Sequence, residues 1–319
     1  MRRPALGIAL GSPREPEEWA ASLALVERAD ALGLHSVWVP EGHFQPGGTP
    51  APLGVLAGFA TRTRQLRLAT TSILLPIHPP LRLAAEVASL DTLSGGRVLL
   101  GLGRGFRAPL FEAFGVDPRA KRDRFDASLA LLRRAWAGEA LPLGESPDAA
   151  RVTLGVRPVQ QPHPPLVVAA FGKKGLAQAA RHGLPYLASP MEPLDVLVEN
   201  YARWHENLAG ELDPRAPHVP VMRTVHVARD DGEAGRVRSA LQAALRPLRV
   251  AAPQALARAA QAPLHERVLV GTRGEVADGL ARYQEMLGLD LLIARVGAPG
   301  SAPTEQHAAL ERLAELVLG

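Results

Sequence analysis

Three short segments concentrate side chains able to do chemistry. Glu41-Gly42-His43-Phe44 sets a carboxylate two residues from an imidazole. Histidine ordinarily titrates near neutrality, so His43 is a candidate general acid or base. Glu41 and His43 would also suit a metal ion, but no third ligand stands at a recognisable spacing, and no metal is expected. Phe171-Gly172-Lys173-Lys174-Gly175 places two of the chain's three lysines, flanked by glycines, at the start of a helical pattern. The helix dipole disfavours cations there. Exposed backbone N–H groups beside ammonium groups make an anion site, most simply for a phosphate. A solvated turn is the alternative. Gly103-Arg104-Gly105 is a second candidate, because glycines let a ligand approach the backbone and a guanidinium fork matches phosphate.

Something must position these segments. Short apolar runs alternate with longer amphipathic ones along the chain. Strands are predicted at Ala5–Leu10, Ser36–Pro40, Leu66–Leu75, Arg97–Leu102, Leu166–Ala170, Pro185–Ser189, Val219–Ala228 and Asp290–Val296, each followed by a helical pattern. Near-continuous apolar strands suit a parallel sheet covered on both faces. Eight such units in 319 residues predict an α/β fold, a (β/α)8 TIM barrel forming one domain over 1–319. A helical insertion, Arg236–Ala262, falls between strands seven and eight. A doubly wound sheet is the rival, but Gly7, Gly11 and Ser12 do not make the glycine-rich turn it would favour after strand one. In a barrel, active sites lie at the carboxyl ends of the strands, where all three segments fall, together with Pro76-Ile77-His78-Pro79, Met222-Arg223 and Arg295.

Composition removes several classes. With no cysteine there is no disulfide framework, thiolate metal site or cysteine nucleophile. No apolar run approaches the ~20 residues of a membrane span, so no membrane partner is expected. The apolar stretch Ala5–Leu10 behind two arginines is shorter than the ~7–15 residues of a signal peptide core, and a cytoplasmic location is expected. Net charge is +4, and arginine supplies 33 of the 36 basic residues, spread among 32 acids; aromatics are 4%. Without a basic block or stacking residues, nucleic-acid binding is not expected. His163 and His182 read as solvated.

The stretches SVWVPEGHFQPGG, RLATTSILLPIHPP and AAEVASLDTLSGGRVLLGLGRGF, with the later RPVQQPHPPLVVAA and VGTRGEVADGLARY, resemble the bacterial luciferase-like flavin-dependent monooxygenases. The segment Leu90-Asp91-x-Leu93-Ser94-x-Gly96-Arg97 is the most specific part. The resemblance covers most of the chain and is weakest between Arg236 and Ala262. It implies a TIM barrel holding reduced FMN, supplied by a partner flavin reductase, which reacts with dioxygen to oxidise a small organic substrate. It places the FMN phosphate at Arg104, Gly105 and Phe106 and at the Gly172, Lys173, Lys174, Gly175 turn. It puts Thr71 and Ser72 where family members often carry a non-prolyl cis peptide beneath the flavin ring. Phe44, Leu75, Ile77 and Met222 are expected to form the apolar substrate pocket, with Phe106 contributing to its wall.

The luciferases themselves read Glu-His-His-Phe after strand two, and the first histidine is catalytic. Here Gly42 takes that position and only His43 remains. Two other readings follow: a hydride-transfer oxidoreductase of the same barrel family using the deazaflavin coenzyme, whose acidic tail would suit the lysines, and a non-catalytic flavin-binding subunit. The helix Pro52–Ala60 is apolar on more than one face, so a homodimer is expected.

Overall fold

The computed structural model of the protein describes residues 3–319 apart from residues 12, 14, 45–47, 144, 145, 147, 252–258, 260 and 299, and the side chains of 246–251. The first half runs β1 (Ala5–Ala9), α1 (Pro16–Ala31), β2 (Ser36–Val39), α2 (Pro52–Ala60), β3 (Arg67–Thr70), β4 (Ile73–Leu74), α3 (Pro80–Ser94), β5 (Val98–Gly103), α4 (Ala108–Ala113) and α5 (Lys121–Trp136). The second half runs β6 (Leu141–Pro142), β7 (Arg151–Val152), β8 (Leu166–Ala169), α6 (Lys173–Arg181), β9 (Tyr186–Leu187), α7 (Leu194–Glu206), β10 (Pro220–Val227), α8 (Asp231–Ala251), β11 (Val268–Gly271), α9 (Arg273–Leu287), β12 (Leu291–Val296) and α10 (Pro303–Val317). The main sheet is parallel, in the order β11-β10-β12-β1-β2-β3-β5-β8-β9, with β4 added beside β5; β6 and β7 form a separate antiparallel pair. The sheet curls, and a bridge between Ala188 and Val221 joins the chain just after β9 to β10.

Both faces of the strands are covered, so the strands serve two cores. Trp38, Ala69, Leu99, Val167, Met222 and Ile293 pack together on the inner face. Val37, Leu68, Leu100, Val168, Val221 and Leu292 alternate with them and pack outward beneath the helices. Period-two alternation then fixes the carboxyl ends: Gly103 on β5, Thr224 on β10 and Arg295 on β12 continue the inner rows.

The predicted third strand, Leu66–Leu75, is divided. β3 ends at Thr70, the Thr71–Ser72 peptide is cis, and β4 starts at Ile73. Glycines permit this close packing: a Cβ at Gly101 would strike the Thr70 carbonyl oxygen, and one at Gly103 the Ser72 Oγ. The chain itself therefore uses the room that Gly101 and Gly103 leave. Between β10 and β12 the expected insertion is not helix alone. The described residues hold α8, then β11, which pairs Val268–Gly271 with Thr224–Val227, then α9. Residues 252–258 and 260 of that insertion lie outside the described residues.

The most specific sequence segment, Leu90–Arg97, is architectural. The buried Asp91 carboxylate accepts from the Gln160 backbone N–H (2.9 Å) and from its Nε2 (2.7 Å), tying down the loop before β8. Arg97 donates to the Ala60 and Leu66 carbonyls and to Thr63 Oγ1, fastening the end of α2 to the start of β5.

Candidate functional site

Arg104 leaves the end of β5 and is 9% exposed. Its Nη1 donates to Gln178 Oε1 on α6 at 2.9 Å. Its Nη2 lies over Gly175 in the first turn of α6, where a Cβ would collide with it. Thus the two candidate anion-binding segments meet. α6 starts at Gly172, whose φ of 70° and ψ of 157° suit glycine alone; no side chain caps the first turn and no acid stands in it. Its free N–H groups and positive dipole end adjoin the guanidinium. Burial, then repulsion from Arg122, lowers the Arg104 pKa to about 10, and attraction to Asp126 only partly opposes this. Lys121 adds a third nearby cation, itself lowered by burial and by Arg104. Lys173 and Lys174 are exposed. A guanidinium this buried, tethered to an amide rather than a carboxylate and set against an uncapped helix start, fits the phosphate of a bound cofactor.

The tether is itself held. Gln178 Nε2 donates to Asp126 Oδ1 at 2.6 Å, and His182 Nε2 donates to the same oxygen at 2.6 Å. His182 is therefore a partly buried, bonded residue rather than a solvated one. His163 is likewise bonded, to the Pro164 carbonyl.

The second centre is Glu41, whose carboxylate has no accessible surface. Its Oε1 accepts from His43 Nε2 at 2.7 Å and from His78 Nε2 at 2.8 Å; its Oε2 accepts from the Leu74 backbone N–H at 2.6 Å. Burial alone would raise its pKa. Hydrogen bonds from His78, His43 and Leu74, with attraction to His78, outweigh it and hold the carboxyl below its ordinary 4.5. Donation from Nε2–H leaves Nδ1 of each imidazole as the basic atom. Leu74 pairs in register with Gly103, the residue before Arg104, so β4 joins the two centres.

Aromatic rings frame these centres. Phe44, 72% exposed and with φ of 56°, lies 5.9 Å from the ring of Phe114, which packs edge-on against His43 at 4.9 Å. Phe106, 50% exposed, meets Phe171 edge-on at 6.1 Å. The other expected pocket residues are not at this rim. Leu75 has no accessible surface and packs in the main core, and Ile77 packs with Leu110, Phe111 and Val116. Both are apolar because they anchor the loop that carries His78. Met222 belongs to the inner core, 6% exposed. Thr71 is partly exposed and Ser72 is buried against Gly103. Gly105 has φ of 70° and faces Phe111, so a turn requires it.

Sequence reading missed the parts that only folding brings together: His78 on Glu41, Gln178 and Asp126 behind Arg104, and Phe114 beside His43. A histidine at a predicted strand end was the one available signal, and it pointed to His78.

The fold is a parallel α/β sheet with a candidate anion site and a carboxylate–imidazole centre at the carboxyl ends of its strands. A family profile described as luciferase-like monooxygenase matches residues 6–290, and the chain belongs to that family. It is 29% identical over 217 residues to the oxygenase component of a flavin-dependent trigonelline monooxygenase of Acinetobacter baylyi, covering 66% of this chain and 60% of that protein. It is 33% identical over 183 residues to an F420-dependent glucose-6-phosphate dehydrogenase of Kineococcus radiotolerans, covering 54% and 53%. The chain thus spans about 60% or less of the length of these curated relatives. The crystal structure of monooxygenase RslO1 from Streptomyces bottropensis superposes with a TM-score of 0.85 at 29% identity, covering 98% of both chains. Among the described residues, no helix is long and apolar enough to cross a membrane.

Proposed function

We propose that the chain is a flavin-dependent monooxygenase that takes reduced FMN from a separate flavin reductase and uses dioxygen to oxidise a small organic substrate. The observation that carries this reading is the seating of Arg104 on Gly175 at the uncapped start of α6. The flavin-dependent relative supports it, and so does the curled parallel α/β sheet with these groups at the carboxyl ends of its strands. Arg104 and the Gly172–Gly175 turn hold the phosphate, with Gly105, Phe106, Thr71 and Ser72 lining the approach to the ring. FMN, when bound, supplies the redox chemistry; the chain orients it, excludes water and moves protons. His43, with Glu41 fixing its tautomer, is the acid–base group, taking from its own position the role that Gly42 has lost. Phe44 forms the apolar side of the substrate pocket, and Met222 packs in the core beneath it. The apolar α2 makes a homodimer interface.

Fluorescence titration tests the phosphate assignment. Arg104→Ala is expected to weaken FMN binding on the order of 10- to 100-fold while leaving riboflavin, which lacks the phosphate, unchanged. Equal FMN affinity in the two proteins would refute it. A deazaflavin hydride-transfer reading rests on the exposed Lys173–Lys174 pair, which would meet a long acidic tail. Anaerobic titration with reduced FMN and reduced deazaflavin separates the two.

A further inference from the structure

Two arginines stand on neighbouring strands of the inner sheet, and their surroundings are opposite. Arg223 on β10 points outward and is fully buried. Its donors are all engaged: Nε with Tyr283 Oη at 2.6 Å, Nη1 with the Met222 carbonyl at 2.7 Å, and Nη2 with the Glu192 carbonyl at 2.5 Å. It fastens the loop after β9 to β10 and α9.

Arg295 on β12 occupies the inner row that Leu291 and Ile293 begin. It sits one layer above Ile293, at the carboxyl end where ligands enter. No hydrogen bond, ion pair or ring contact ties it to any other residue among those described. It is exposed, yet enough protein surrounds it for burial to lower its pKa. Its register partner is Thr224, also inward and partly exposed, with no hydrogen bond on its hydroxyl among the described residues. On its other side β1 offers only small residues: Ala9 follows Ile8, which pairs with Ala294. A free guanidinium fork beside a free hydroxyl, with small side chains on β1 flanking it, is a receptor for a planar anion. Arg295 also stands across the sheet from Arg104, with β1, β2 and β3 between their strands on one side. The phosphate cations on β5 and α6 are therefore not its partners.

We infer that Arg295 and Thr224 bind the carboxylate of an organic acid, making the substrate of the proposed oxygenation an anion. This rests on the functional reading above, because it places the acid in the same mouth as the cofactor. The aromatic rim at Phe44, Phe106 and Phe114 would cover the acid's apolar body.

The probes are benzoate, phenylacetate and octanoate, each against its primary amide, measured by calorimetry with and without saturating FMN. Wild type is expected to bind at least one acid on the order of tenfold tighter than its amide. Arg295→Gln should lose that preference, Arg295→Lys should keep part of it, and Thr224→Val should weaken the acid alone. FMN binding should be unchanged in all three. If no acid outbinds its amide in wild type, or Arg295→Gln leaves the preference intact, the inference is overturned. If Arg295→Gln instead weakens FMN as much as Arg104→Ala does, Arg295 belongs to the cofactor and the inference is overturned as well. Failure of FMN to bind wild type would overturn the cofactor reading, and the acid–amide comparison without FMN would still decide the role of Arg295.

Discussion

The guanidinium of Arg104 rests on the bare Cα of Gly175, where the loop after β5 meets the start of α6. A methyl group there would collide with Nη2. Inside a helix, alanine is favoured over glycine by roughly 0.5–1 kcal/mol, so Gly175→Ala should leave thermal stability unchanged or slightly higher. FMN affinity should fall about tenfold as the guanidinium moves off its seat. Opposite signs in the two measurements are the signature. A variant with full FMN affinity would show that Gly175 is not a seat for Arg104.

Glu41 holds two imidazoles and one amide at a single buried carboxylate. In Glu41→Gln the new amide nitrogen is a donor facing donors, so either the Leu74 N–H loses its acceptor or a histidine must change tautomer or lose its bond. The expected loss of stability at pH 7 is about 2–3 kcal/mol. The folded-state pKa of Glu41 lies below its ordinary 4.5, so its stabilisation is complete above that value and disappears as pH falls through the folded pKa. Urea melts should therefore show a wide gap between wild type and Glu41→Gln at pH 7 and a narrower one at pH 3.5. A constant gap would mean that the charge of Glu41 contributes nothing.

The parts of this fold that were legible in sequence are those with a local signal. β1, β2, β5, β8, β10 and β12 are apolar runs of four to eight residues, and each was recognisable as a strand. The Arg104 and Lys173 segments stood out because cations between glycines are unusual. β11 was lost because four residues after a long helical stretch carry little period. The partners of Arg104 could not be read, since Gln178 and Asp126 lie on two helices that only packing brings together. Glycine carries two meanings: Gly101 and Gly103 are required by the chain's own Thr70 and Ser72, and nothing in the sequence distinguishes that need from room for a ligand.

His35 gives a second pH dependence, at the opposite end of the strands. Burial, then repulsion from Arg67, lowers its pKa from 6.5 to about 4. The unfolded chain takes up this proton near 6.5 and the folded one resists until about 4, so stability falls as pH drops across that window. The loss is on the order of 3 kcal/mol at most. His35→Gln removes the titration but keeps a polar group near Ser36 Oγ, which lies 2.9 Å from His35 Nδ1. Its stability relative to wild type should rise steadily between pH 7 and pH 4.5. Parallel pH profiles for the two proteins would show that His35 is protonated as readily in the folded state as outside it.

Helix α2 bears on assembly. Val55, Leu56 and Phe59 face the core, while Gly54 is exposed and Gly58 half-buried, with open space where a Cβ on either would stand. That outer face carries no charge from Pro52 to Ala60, so water meets a smooth apolar strip. If the strip is covered by a second copy, Gly54→Glu places a carboxylate in the middle of the contact, where leaving it desolvated and unpaired costs several kcal/mol. On an isolated chain the same change only replaces a helical glycine with a better helix former. Light scattering behind size exclusion should therefore report a dimer for wild type and a monomer of undiminished melting temperature for Gly54→Glu. A monomeric wild type, or a variant that stays dimeric, removes α2 from the interface.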